Sequence, residues 1–341
     1  MKRLLIIISL AISILIMGSC REIKVNTIVN KDGSFTRIIT ITGDSSDVFK
    51  SGLPFPIDST WAMKFEKDST GNKNDVLTYT KYFNNSDGLN QEITQDSSWR
   101  KNLKRYIEIE RKFGFFYSYL VYKETIGAAN PFTILNYKDF ISKEDLQWLT
   151  GKRLALVSSD SAAIKLAEDT ASAFLQESIT AEIIDILKNG IEQLNNPAIN
   201  INLVEKYKDS IAKKVDEWNY NSTNEFVDYY AKLTNNKDIL KIKETNRAQL
   251  ENLDSDMELL LKILEMEDYK VTVELPGLIT NTNSLSINGN KVEWSVNNMS
   301  FLFEDYSLIA ESRIINIWMF IITGIVILAL VVTTIFKSGK R

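Results

Sequence analysis

The sequence has no histidine and a single cysteine, Cys20, among 341 residues. Without histidine there is no Ser-His-Asp or Cys-His nucleophile activation, no common zinc ligand set, and no usual general base near neutral pH. With one thiol, no disulfide can close within the chain. Chemistry would have to rest on carboxylates, lysines, hydroxyls or a cation held by oxygens. A basic face for nucleic acid is missing as well: 40 Lys and Arg are interspersed with 44 Asp and Glu, for a net charge of −4. Proline and glycine are few, at 5 and 14, and no repeat or low-complexity linker is evident. What remains is the composition of a globular protein with room for two packed units plus membrane segments.

The lone cysteine closes the opening stretch MKRLLIIISLAISILIMGSC. Lys2 and Arg3 give a positive start, Leu4 to Met17 an apolar run too short for a comfortable span, and Gly18-Ser19 the small residues before a cut. Residues 1–19 therefore read as a signal peptide. Ile16-Met17-Gly18-Ser19-Cys20 resembles the lipobox of bacterial lipoproteins, with Met17 where that family usually has Leu. The resemblance implies that Cys20 becomes the first residue, carries a diacylglyceryl group on sulfur and is acylated at its new amino terminus. The alternative is an uncleaved apolar helix with an incidental cysteine.

At the other end, residues 314–336 run without a charge. As a helix they would be about 34 Å long, against about 30 Å of hydrocarbon to cross. Trp318 and Arg313 stand near one end, and Lys337, Lys340 and Arg341, in the tail 337–341, form the positive flank expected in the cytoplasm. Together the two ends place residues 21–312 outside the plasma membrane, tied close to the bilayer at both termini. In a Gram-negative cell a spanning helix would keep the protein in the inner membrane.

Between the anchors the period changes twice. Residues 21–130 alternate as strands, with turns at Asn30–Ser34 and Gly114. Residues 131–268 take helical spacing: one helix stops at Gly190, another opens at Asn196-Pro197, a third follows a Ser222–Glu225 capping box, and a long one covers Lys237 to Glu267 with a leucine seam. Residues 269–312 return to strands, with a Pro276-Gly277 turn and an Asn288-Gly289 hairpin. The expected fold class is α+β: a sheet from both β segments, interrupted by a helical insert, then a transmembrane helix. The insert as a separate domain is the alternative.

Cys20, Asp32-Gly33-Ser34, Leu275-Pro276-Gly277, Asn288-Gly289, Trp294 and the final helix together resemble the LppM-type membrane lipoproteins of bacteria. That resemblance covers under a third of the chain and implies a β-rich ectodomain with an apolar groove associated with lipid or glycolipid. The helical insert departs from it.

Candidate chemistry is sparse. Phe113, Phe115, Phe116, Tyr117, Tyr119 and Tyr122 either line such a groove or fill a core. Glu265, Glu267 and Asp268, or Asp254 and Asp256, lack the glycine turn and terminal glutamate of a calcium loop, so no metal or other cofactor is expected. Ser142-Lys143 are neighbours in sequence only, which is no sign of a dyad. Five Asp-Ser/Thr triplets, at Ser59, Ser69, Ser161, Thr170 and Ser210, resemble an O-glycosylation sequon of one group of Gram-negative bacteria; helix caps also favour Asp-Ser. The reading is a non-enzymatic envelope component that binds lipid, glycolipid or a partner protein. A histidine-free tethered enzyme or a structural scaffold are the alternatives.

Overall fold

The computed structural model describes residues 21–44, 47–50, 52–67, 75–150, 161–197 and 199–338. Four strands come first: β1 (Glu22–Val29), β2 (Phe35–Gly43), β3 (Ala62–Glu66) and β4 (Asp75–Phe83). Helix α1 (Ser86–Gln95) leads to the hairpin of β5 (Arg105–Phe113) and β6 (Tyr117–Ile126). The helical stretch holds α2 (Lys143–Leu149), α3 (Ser161–Leu194), α4 (Asn202–Lys206), α5 (Lys208–Asp216), α6 (Asn224–Leu233), α7 (Ile242–Thr245) and α8 (Arg247–Leu264). Strands return as β7 (Tyr269–Glu274), β8 (Leu278–Thr282), β9 (Ser286–Asn288), β10 (Lys291–Val296) and β11 (Tyr306–Ile315), and the chain leaves as α9 (Ile317–Ser338).

The class is α+β, with two sheets where the sequence suggested one. Seven strands run in the order β3-β4-β2-β1-β7-β10-β9 and four in the order β5-β6-β11-β8. Strands from before and after the helices pair in both sheets: β1 with β7 in parallel, and β6 with β11 antiparallel. Strict alternation drives this. In β2 and β11 every second residue is buried, so each sheet has one apolar face, and the two faces meet. Ile39, Val25 and Val271 line one side, Leu120, Leu308 and Ala310 the other. Each large aliphatic among them contributes about 1.5–3 kcal/mol by leaving water. The β1–β2 turn closes where expected: Asp32 Oδ1 accepts from the Ser34 N–H at 3.0 Å and hydroxyl at 2.7 Å, around Gly33 at φ +92°.

Four helical expectations need correction. Gly190 does not end α3, which continues to Leu194 and stops at Asn195 with φ +45°. The glycine serves packing instead: a Cβ there would lie 2.6 Å from Ile242 Cγ2. The long helix over 237–267 is broken into a 3-10 turn (Lys237–Lys241), α7 and α8, with buried Asn246 at the break. The expected seam of Leu250, Leu253, Met257, Leu260 and Leu264 lies within α8, where the first four are buried. The helix expected after Pro197 starts at Asn202 and is interrupted at Tyr207 (φ −99°, ψ 10°). Finally, α6 is not capped by a Ser222–Glu225 box. The Thr223 N–H donates across to Asp254 Oδ1 on α8 at 2.7 Å.

The layered strands have two different ends. At one end Arg21 Nε lies 3.4 Å from Glu267 Oε2, and Ile23 pairs with Tyr269. The helices dock there on the connection from β10 to β11: Asn298 Nδ2 donates to the Leu264 carbonyl at 3.0 Å, and Phe174 packs on Phe303. At the opposite end Ser312 Oγ donates to the Pro276 carbonyl at 2.9 Å, and the chain departs as α9. Strand β11, 10 residues long, connects the two ends and at about 3.3 Å per residue spans about 30 Å.

Candidate membrane-facing site

The joint between β11 and α9 is a single residue, Asn316, and it is buried. Ile314 and Ile315, which the apolar run places in a membrane helix, instead complete β11 against Ser118 and Tyr117. Asn316 then clamps the β5–β6 hairpin. Its N–H donates to the Phe116 carbonyl at 2.9 Å, its Nδ2 to the Gly114 carbonyl at 2.8 Å, and its Oδ1 accepts from Ser118 Oγ at 3.0 Å. Gly114 lets the hairpin turn this tightly, since a Cβ there would meet the Tyr117 carbonyl oxygen at 2.5 Å.

Aromatic rings extend the clamp onto the first turns of α9. Phe113 stacks on Trp318 (6.3 Å, 23°), Phe116 meets Phe320 at 4.7 Å, and Tyr117 meets Phe320 edge-on at 6.2 Å. Arg313 lies over the Tyr117 ring at 4.6 Å. Such pairs add about 0.5–1.5 kcal/mol each beyond area burial. Phe113 and Phe115 remain 63% and 55% exposed, and Leu278 and Ile315 are exposed beside them. The helix over Ile317–Phe336 is long and apolar enough to cross a membrane, and only 6% of it is buried in the protein. Apolar surface that continuous is the mark of a membrane or partner contact. The six aromatics therefore neither line one groove nor fill one core. Tyr122 belongs to the interior, Tyr119 is half-buried, and the other four gather at the joint.

The most buried charged group lies between the sheets. Glu124 accepts from Arg37 Nη1 and Nη2 at 3.1 Å each, from Arg105 Nη2, and from the Tyr122 hydroxyl at 2.6 Å. Phe55 covers both guanidinium groups, 4.5 Å from Arg105 and 5.7 Å from Arg37. Burial alone would raise the Glu124 pKa; the charges of Arg37 and then Arg105 outweigh it and pull it down to about 2. Burial, then the Glu124 charge, pushes the Tyr122 phenol well above its ordinary value. The cavity beside the cluster is about 10 Å³, room for about one water. With its carboxylate so fully occupied, the cluster is a tie between the sheets.

The remaining candidates have local duties. Ser142 caps α2, accepting from the Asp145 N–H at 3.1 Å and donating to its carboxylate at 2.7 Å. Asp254 holds α6, and Glu267 faces Arg21. Burial and then Glu182 raise Asp256 to about 6; burial and then Glu267 raise Asp268 to about 6. Among the described residues no group of three His, Cys, Asp or Glu is placed to hold a metal. Ser59 is exposed in a turn, where Asp58 Oδ1 accepts from the Thr60 N–H at 2.8 Å. Thr170 lies within α3, its hydroxyl donating to the Leu166 carbonyl at 2.8 Å, and Ser210 lies half-buried within α5. Cys20, residues 1–19, Ser69, the Ser161 side chain and the tail beyond 338 lie outside the described residues.

Sequence reading missed Asn316, Arg37, Arg105 and Glu124. Two signals were there: an asparagine inside an apolar run, and a glutamate two residues after Tyr122 on the inward face of a strand.

The chain matches no known protein family and no curated protein. Among solved structures, the NMR structure of the folded domain of LppM from Mycobacterium tuberculosis aligns over 87% of this chain and 91% of that one. Identity is 8% and the TM-score 0.28, a level that establishes neither a common fold nor a common function.

Proposed function

We propose that the chain is a membrane-anchored envelope protein whose ectodomain works by binding rather than by catalysis. Its α9 helix spans the plasma membrane with the C-terminus in the cytoplasm, and residues 21–312 stand on the outer side. In a Gram-negative cell this is the inner membrane. Cys20 is the lipid attachment site. The supporting observation is α9 itself: an exposed apolar helix of spanning length that follows the folded ectodomain with one intervening residue.

The ectodomain then presents its helices at the end far from α9, where they are available to a lipid, a glycolipid or an envelope protein. No cofactor enters this reading. Catalysis has little support, because Glu124 is already saturated by two arginines and a tyrosine. Among the described candidate O-glycosylation positions, Ser59 is exposed in a turn while Thr170 and Ser210 sit within helices, which favours Ser59 of these three for modification.

Arg21 lies at the helical end, so a lipid on Cys20 and the helix α9 leave opposite ends of the strand layers. Both reach one bilayer if the strands that join those two ends run along the membrane surface. Intact mass of the protein from native membranes, beside a Cys20→Ala variant, tests the lipid anchor. Loss of residues 1–19 with added acyl groups, absent in the variant, supports it; an unprocessed, unlipidated mass refutes it.

A further inference from the structure

We infer that the tip of the β5–β6 hairpin is a second membrane-contacting element, seated in the lipid headgroup region around the base of α9. The inference rests on the reading that α9 spans the membrane, and it adds where the ectodomain touches the bilayer and through which side chains. Three observations carry it.

First, the contact is fixed in place. Three hydrogen bonds between Asn316 and Gly114, Phe116 and Ser118, with the stacking of Phe113 on Trp318, leave no linker between hairpin and helix. A lipid surface at the level of Trp318 therefore meets the hairpin too. Second, the chemistry of the tip suits that depth. Phe113 and Phe115 are bulky, apolar and more than half exposed, an arrangement costly in water and favourable among headgroups and upper acyl chains. Third, cations border the apolar tip: Arg111 and Lys112, the latter 3.3 Å from Glu110 Oε2, precede it on β5, and Arg313 sits on the Tyr117 ring at the same end. Basic side chains beside interfacial aromatics suit the lipid phosphates at that depth.

The occupant is therefore a bilayer surface, and not a protein partner, because the patch is continuous with α9 and is packed against its first turns. The consequence is mechanical. A domain gripped at both hairpin and helix cannot swivel about its anchor, so its other surfaces keep a fixed attitude to the membrane.

The test uses the full chain, with Cys20→Ala as the labelling background, reconstituted into phosphatidylcholine–phosphatidylglycerol vesicles. One cysteine at a time is introduced by Phe115→Cys in the hairpin, Val326→Cys in the middle of α9, or Ala248→Cys on the exposed side of α8. Each carries an environment-sensitive fluorophore, and quenching by nitroxide-labelled lipid is read. Loss of emission at Phe115→Cys and Val326→Cys but not at Ala248→Cys is the expected result. Quenching at Val326→Cys with none at Phe115→Cys overturns the hairpin contact while leaving the spanning helix intact. No quenching at Val326→Cys overturns the spanning helix and the hairpin contact with it. Equal quenching at Ala248→Cys overturns the placement, since the helical end would then lie in lipid too.

Discussion

Glu124→Gln keeps the shape of the inter-sheet tie and removes its negative charge, leaving Arg37 and Arg105 buried without a counter-ion. The structure sets the size of the loss. A carboxylate brought from its ordinary 4.5 to about 2 on folding carries about 3 kcal/mol of stability, at about 1.4 kcal/mol per tenfold in proton affinity. That agrees with the 3–5 kcal/mol typical of breaking a buried pair. Because the folded value is depressed, this stability is fully present above pH 4.5 and is lost as pH falls toward 2. At about 2–4 °C per kcal/mol for domains of comparable size, the midpoint should drop by about 6–12 °C at pH 7. Urea and thermal unfolding of the full chain in mild detergent, followed by near-ultraviolet circular dichroism at pH 7 and pH 2.5, measure it. The gap between parent and variant should be large at pH 7 and narrow markedly at pH 2.5, where the parent carboxylate is itself becoming protonated. A gap below about 1 kcal/mol at pH 7, or one that does not change with pH, would refute the assignment of Glu124 as the charge holding the sheets together.

Other perturbations follow from the packing. Gly277→Ala drives a methyl into the Arg313 carbonyl oxygen at a residue with φ +94°; it should cost about 2 kcal/mol or more, seen as a lowered urea midpoint. Gly190→Val drives its side chain into Ile242, and the overpacked α3–α7 contact should lose about 1–3 kcal/mol in the same assay, although the glycine stands inside a helix. Asp254→Ala strips α6 of its cap and should lower stability by about 1 kcal/mol, with faster amide exchange at the start of α6. Asp256→Asn should act in the opposite sense. Its folded-state pKa is raised to about 6, so the charged form is penalised as pH climbs from 3.8 through 6, and the variant should unfold at higher temperature at pH 7.5 but not at pH 3.5.

Much of the architecture was legible because strand periodicity is hard to mistake. The alternation in β2 and β10, the Asp32-Gly33-Ser34 turn and the Gly289 turn (φ +64°) all appear where composition puts them. What could not be read was the work of distant partners. Gly190 carries the local mark of a helix stop, yet its role depends on Ile242, which lies 52 positions on. Asp254 looks like a solvated acid until Thr223 is brought to it across helices. The separation into two sheets turns on which strands become neighbours, and local pattern is silent about that. At the candidate site the apolar helix was plain. The ownership of Ile314 and Ile315 was not, because hydropathy treats a buried strand end and a lipid-facing turn alike. Only the pairing with Ser118 and Tyr117 assigns them to β11.

If α9 crosses the membrane as proposed, the folded strands and helices stand on its outer side and Ser338 on the inner. Cysteines introduced by Ser59→Cys in the ectodomain and Ser338→Cys at the end of α9, each alone in a Cys20→Ala chain, separate the two sides when labelled with a membrane-impermeant maleimide on intact spheroplasts and again after detergent, with the Cys20→Ala chain as blank. Ser59→Cys should label on intact spheroplasts, and Ser338→Cys only after the membrane is opened. Equal labelling of both before detergent, or labelling of neither until after it, would contradict that topology.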